Sequence, residues 1–386
     1  MASKSGLVAA VFTSLAVAQK YPPDAVDKLG IDALPNLREW LAKNPQGNCT
    51  LETAVRRKEW GDLSTTERKA YTDAVLCLQS KPALTSHQAP GAKSRFDDYI
   101  VVHIQQTPRN HGSTFFLPWH RMYIAHYENA LRTECGYTGY QPYWNWGRYA
   151  HDPASSPLFN GDPYSMSGNG APVPHTGIPF RSAPPPFNIM PPGSGGGCVT
   201  TGPFANMSVN IGPIAPSLTL PEIPANPQAD GLGYNPRCLR RDLNIHSAAV
   251  TTTNYTYDLI TQNKEIYWFQ TVMEGQFDQG KYGVHSGGHY TVSGDPAGDF
   301  YVSPGDPVFW LHHANIDRIW WIWQLQDLER RLVEVSMTKT MLNKPPSENG
   351  TLEDMNNLGV LAGDVTTREL MSTMGGWGGR LCYIYE

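Results

Sequence analysis

Residues 307–332 read PVFWLHHANIDRIWWIWQLQDLERRL. Pro307 suits the first turn of a helix, and the run behind it is the longest strongly apolar helical stretch in the chain. It carries a histidine doublet, His312–His313. Phe309, His313 and Asp317 recur at intervals of four, so they share one helical face.

A second pair of histidines lies just upstream, in GVHSGGHY (283–290). His285 and His289 are also four apart, the spacing of one helix face. Gly287 and Gly288 stand between them, although a glycine inside a helix costs about 1 kcal/mol relative to alanine. Either this is not a helix, or the glycines give clearance to something beside one that opens at His285.

The N-terminal half offers a matching pair of helices. SRFDDYIVVHIQQT (94–107) is helical and is closed by Pro108; Pro118 opens WHRMYIAHYENALRTEC, which stops at Gly136. Earlier, LPNLREWLA, LETAVRRKEW and LSTTERKAYTDAVLCL read as helical runs within 35–80. Ser64 and Glu67 form a capping-box pattern there. Helical character returns at 255–280. From about 150 to 240 the chain is dense in Pro, Gly and Ser and keeps no hydrophobic period. Chemistry-bearing residues flank that stretch on both sides, so it reads as a long loop region and not as a linker. The expected fold class is mainly α: a four-helix bundle from two helix pairs, 95–135 and 265–330, surrounded by long Pro/Gly-rich loops with little β.

Composition narrows the function. The chain has 386 residues, a net charge of −5 and no basic tract, which argues against nucleic-acid binding. Sparse charge with abundant Trp and Tyr suits an aromatic core around a pocket. The apolar run Gly6–Ala18 is too short to span a membrane. It fits either a secretory signal ending in Ala-Val-Ala or a short N-terminal helix, leaving 19–386 as one catalytic domain. The six cysteines contain no CxxC pair, so three disulfides in a secreted protein are expected. Fifteen pairings are open; Cys198–Cys238 around the intervening loop is the first choice, with Cys49 and Cys77 pairing among Cys135 and Cys382. Sequons at Asn48, Asn206, Asn254 and Asn349 agree with secretion. No membrane partner is expected, and the chain reads as a monomer or weak homo-oligomer.

Six of the twelve histidines carry the chemistry. His103, His111 and His120 fall on the first helix pair; His285, His289 and one of the doublet His312–His313 fall on the second. Imidazole suits Zn, Cu, Fe or Ni. A single catalytic zinc needs one such triplet only. His-Glu-x-x-His is absent, because Ser286 follows His285. The second pair offers no Glu-x-x-His for a carboxylate di-iron site. Two neutral three-nitrogen sites face to face suit two copper ions.

HGSTFFLPWHRMYIAHYENAL (111–131) and GDPVFWLHHANIDRIWWIWQ (305–324) closely resemble the two copper-binding signatures of the tyrosinase family, which includes catechol oxidases and molluscan haemocyanins. The likeness covers most of 95–330 and is nearest to short fungal secreted members. It implies a type 3 dicopper site with O2 as co-substrate and small phenols as substrates. Carried over by position, His103, His111 and His120 take the first copper, and His285, His289 and His313 the second. Helical geometry favours His313 over His312, with Phe309 packing on the ligand rings and Asp317 accepting behind them. Many family members carry a cysteine two residues before the second ligand of the first copper, as a thioether to it. Arg109 stands there instead, so no crosslink is expected. The Tyr383-Ile-Tyr385 end resembles the end of the family's core domain, which implies no C-terminal lid.

The resemblance also bears on the reaction. Members that hydroxylate monophenols well hold a water near the second copper with a carboxylate and an Asn after its first ligand. Glu274 matches the carboxylate, as general base; Ser286 replaces the Asn. The expectation is therefore oxidation of o-diphenols to o-quinones, with weaker hydroxylation of monophenols. Strong monophenol monooxygenase activity is the alternative, and O2 carriage as in haemocyanins a further one. Phe300 and Val302, in the loop before the last ligand helix, are the expected substrate gate.

Overall fold

The structure, a computed structural model, describes residues 21–386 apart from 181 and 221; the apolar run at 6–18 lies outside them. Its helices of nine residues or more are α1 (Ala25–Lys43), α2 (Thr65–Ser80), α3 (Arg95–Asn110), α4 (Phe116–Cys135), α5 (Thr253–Gln262), α6 (Ile266–Glu274), α7 (Val284–Val292) and α8 (Val308–Leu325). Every residue of α8 is buried. A helix buried on every face lies at the centre of a fold, and α8 packs there against α1, α4, α5 and α7. Trp310 of α8 stacks on Tyr127 of α4, with ring centroids 3.6 Å apart. The helix-rich architecture is the one expected.

Several boundaries differ from the sequence reading. Helix α3 runs past Pro108 to Asn110; a proline in the last turn forfeits one backbone bond without stopping the helix. Helix α4 starts two residues before Pro118 and ends at the left-handed Gly136 (φ +67°). Helix α8 stops at Leu325, and 328–331 form a separate turn. Arg331 folds back there and donates to the Trp323 carbonyl at 2.6 Å, satisfying an open helix end. The segment LETAVRRKEW is not helical. Its Val55–Arg57 forms β1, which pairs in parallel with the C-terminal strand β3 (Leu381–Tyr385), itself antiparallel to β2 (Met374–Gly376). The capping box at Ser64 and Glu67 is present.

A buried charge cluster explains β1. Asp317 of α8 accepts from Arg121 Nε and from the hydroxyls of Tyr383 and Tyr385, each at 2.6 Å, and from Arg57 of β1 at 3.5 Å. Burial opposes its ionisation, but Arg121 and Arg57 outweigh that and hold its carboxyl below the usual range. This corrects one expectation. Asp317 receives no imidazole N–H; it joins α8 to α4, β1 and the C-terminal strand instead.

The region 150–240 holds a single 3-10 turn (Pro153–Ser155) among its described residues, short two-stranded ladders and the Cys198–Cys238 disulfide. It grips the segment that leads into α8. Arg241 makes a bidentate pair with Asp306, both bonds 2.8 Å. Arg237 pairs with Asp295, and Asp299 accepts from Ile214 N and Ala215 N. The other disulfides are Cys49–Cys382 and Cys77–Cys135, within the pairing expected. Among the described residues no helix is long and apolar enough to cross a membrane.

Candidate metal centre

Helix α3 supplies His103, its C-cap supplies His111, and α4 supplies His120. Their ligand-capable nitrogens lie within 4.8 Å of one another. Each ring is oriented by a backbone carbonyl. His103 Nδ1 donates to Tyr301 O at 2.7 Å, His120 Nδ1 to Phe116 O at 2.7 Å, and His111 Nδ1 to Thr107 O at 3.3 Å. A carbonyl only accepts, so the proton sits on Nδ1 and the Nε2 lone pair is free. Nε2 of His103 and of His120 is buried without any protein partner. Such orphan acceptors are costly unless something else, such as a cation, meets them.

The second cluster comes from α7 and α8: His285, His289, His312 and His313. His289 Nε2 and His313 Nε2 are 3.1 Å apart, and His285 Nε2 is again buried without a partner. The Ala297 carbonyl favours the charged form of His289, against its burial. His313 is held by stacking, between Phe309 at 4.2 Å and His120 at 4.4 Å. Phe309 thus lies against rings of both clusters, with His103 at 5.5 Å.

His312 differs. Its Nδ1 accepts the indole N–H of Trp146 at 3.1 Å, so its own proton is on Nε2. A protonated nitrogen cannot ligate. Its ring instead lies parallel to that of His285 at 5.7 Å.

Burial keeps all of these rings neutral. Desolvation lowers His103 to about 4 and His289 to about 3, and holds His111, His120, His285 and His313 well below the ordinary value. Neutral imidazole is the form a metal needs. Two triads of neutral nitrogens, with orphaned lone pairs in each, fit a pair of copper ions. All six cysteines are in disulfides, and Arg109 turns away to donate to Met355 O at 2.8 Å, so no cysteine is free to crosslink His111.

The glycines of α7 serve packing; the clearance they give is to neighbouring side chains and not to a substrate. A Cβ on Gly287 would sit 2.7 Å from Val250, and one on Gly288 only 2.2 Å from His312 Cε1. If Gly288 were merely a weak helix former, Gly288→Ala would stabilise by about 1 kcal/mol. The contact with His312 reverses the sign. We expect a loss of about 2 kcal/mol from overpacking, read by thermal unfolding of the copper-free protein; a raised Tm would contradict it.

Above the histidines opens a cavity of about 240 Å³ lined by His111, His285, His289, Glu274, Ser286 and Phe300, among others. Glu274 Oε2 accepts from Gly112 N at 2.8 Å and Oε1 from Gln270 Nε2 at 2.9 Å. Burial pushes its carboxyl up to about 7, against those two hydrogen bonds. Ser286 Oγ donates to Gly283 O at 3.2 Å. The Phe300 ring lies 4.6 Å from that of His111, at the mouth. Val302 is not part of this opening. It is fully buried, its methyls against Gly212, because the turn at 303–305 rotates it inward. Tyr290, Met341 and Leu342 also line the cavity. Sequence reasoning missed them; Met341 and Leu342 come from a distant loop with no motif.

The family model for the common central domain of tyrosinase matches residues 93–326. Tyrosinase-like protein orsC of Emericella nidulans is 41% identical over 320 residues, covering 79% of this chain and 84% of its own. N-acetyl-6-hydroxytryptophan oxidase ivoB of the same organism is 37% identical over 361 residues, with 88% and 94% covered. A variant of the polyphenol oxidase of Thermothelomyces thermophila superposes with a TM-score of 0.86 at 44% identity, covering 94% of this chain and 97% of that one.

Proposed function

The chain belongs to the tyrosinase family and carries its type 3 dicopper site, and on that premise we propose that it oxidises o-diphenols to o-quinones, with weaker hydroxylation of monophenols. His103, His111 and His120 would hold one copper and His285, His289 and His313 the other. When bound, the pair supplies the redox chemistry, with two diphenols oxidised for each O2 reduced to two waters. The observation that carries the reading is the shared cavity: both triads present ring nitrogens or rings beneath one opening wide enough for a phenol. That open approach supports an oxidase over an O2 carrier.

The protein's own groups support the ranking of substrates. A monophenol must lose a proton with a pKa near ~10. Glu274 is the base in reach of the cavity, yet both its oxygens already accept N–H bonds, and near neutral pH it is only partly ionised. Ser286 spends its proton on Gly283 rather than on a water. Both features weaken the handling of a phenolic proton. Strong monophenol activity is the second reading, favoured by the relative named for N-acetyl-6-hydroxytryptophan, a substrate with one ring hydroxyl.

Glu274→Gln tests the assignment. Loss of a general base costs on the order of 100-fold. Initial rates on a monophenol, with no added diphenol, should fall by about that factor, while the catechol rate changes less than about threefold. The monophenol-to-catechol ratio of the unaltered protein should rise as pH passes about 7, where Glu274 ionises. Equal losses on both substrates would make Glu274 a support for the site and not its base.

Three disulfides and four exposed sequon asparagines support secretion, with 1–18 as its signal and 19–386 as the catalytic domain. Small phenols remain the only partners this reading requires.

A further inference from the structure

Leu342 forms a wall shared by two hollows. Beyond the histidine cavity lies a second of about 360 Å³, and Gly112, Glu274, Gly275 and Leu342 line both. The second lobe adds Tyr267 and Thr271 of α6 and Met337, Thr338 and Asn343 of the loop before the C-terminal ladder. A cavity of 240 Å³ suits a single ring. Together with its neighbour it reaches the range of about 300–1,000 Å³ typical of drug-sized ligands.

The dividing wall is built, and at some cost. Leu342 is 71% exposed and sits at φ +52°, with Asn343 at +57° and Met337 at +71°. Left-handed backbone is unfavourable for a leucine, so surrounding bonds must impose it. Leu342 N donates to Gly112 O at 2.9 Å, Thr114 N to Thr338 O at 3.1 Å, and Gly350 N to Met337 O at 2.9 Å. Gln270, which also holds Glu274, reaches Met337 Sδ at 3.2 Å. The loop is thus tied to the residue next to His111 and to the helix that carries Glu274.

We propose that the second lobe seats the substituent of a larger phenol, so that the preferred substrates are catechols bearing a second aromatic ring. The proposal rests on the oxidase reading above. Tyr267 offers a ring face and the Met337 and Leu342 side chains offer apolar walls. Thr271, Thr338 and Asn343 can hydrogen-bond a hydroxyl or carbonyl on that substituent. Among the described residues, no charged side chain other than Glu274 lines the lobe, which disfavours anionic or cationic tails.

The probes are biphenyl-3,4-diol and unsubstituted catechol. For the copper-loaded protein, kcat/KM for the diaryl substrate should exceed that for catechol by about tenfold, the effect of burying one further ring. Thr271→Trp fills the lobe and Tyr267→Ala removes its wall; each should bring the ratio toward one. Calorimetric binding of the two probes to copper-free protein reads the same preference without turnover. A ratio near one in the unaltered protein, or a high ratio that neither variant moves, would overturn the lobe. Loss of all turnover with the binding preference intact would instead sink the oxidase reading and leave the lobe standing.

Discussion

His289→Ala should lower the copper content from about two ions per chain to about one and reduce catechol oxidation by at least about 1000-fold, equivalent to about 4 kcal/mol of barrier. The reason is geometric. His289 Nε2 and His313 Nε2 meet at 3.1 Å, with the orphaned His285 Nε2 in the same cluster. Removing one of three nitrogens leaves two, too few to keep a copper against chelation, while the triad on α3 and α4 stays complete. His313→Ala should match it. His312→Gln should not, because Gln can still accept the Trp146 indole N–H through its own carbonyl oxygen and no ligand is lost. Metal analysis and initial rates decide the point. A His312 variant short of one copper, beside a His313 variant with both, would reverse the assignment within the doublet.

Asp317→Asn should cost about 3–5 kcal/mol of stability, the usual penalty for leaving buried charge unpaired. Among the described residues, Arg121 would lose its only carboxylate partner, and Arg57 would keep only Glu128. The two tyrosine hydroxyls would lose an ionised acceptor. Urea unfolding of the copper-free protein measures the loss; a change below about 1 kcal/mol would show that the cluster relaxes around an amide. Copper affinity separates this role from the one expected for a carboxylate behind a ligand. A residue that orients a metal-binding histidine costs about 10–100-fold in affinity when replaced. Asp317 touches no imidazole, so the copper affinity of the folded variant should hold.

Local signals were legible where local physics decides. The Ser64 capping box and the Gly136 stop follow from hydrogen bonding and φ within a few residues. The histidine spacings anticipated the helices on which the structure places them. What escaped the sequence was set by distant partners. VRR at 55–57 forms a strand because Tyr383–Tyr385 lies beside it, a pairing across more than three hundred residues that no local propensity encodes. Asp317 has the spacing of a ligand's acceptor, but two arginines from other elements claim it. Val302 lies two residues from Phe300, and one turn of backbone separates a cavity wall from the core. Gly288 reads as open space in one dimension and as the seat of His312 in three.

The Cys49–Cys382 bond joins residues 333 apart in sequence. A single protease cut anywhere between them therefore yields no free fragment: both pieces remain one molecule until the bond is reduced. The exposed loop positions within the Pro/Gly-rich stretch from 150 to 240 invite such a nick more than the helices do. A nicked chain would run as one band on a non-reducing gel and as two after a thiol is added. Its histidine triads come from opposite sides of that stretch, so the tether would keep both halves of the copper pair in register after cleavage. If the chain is secreted as proposed, covalent closure turns a lethal break into a tolerated scar.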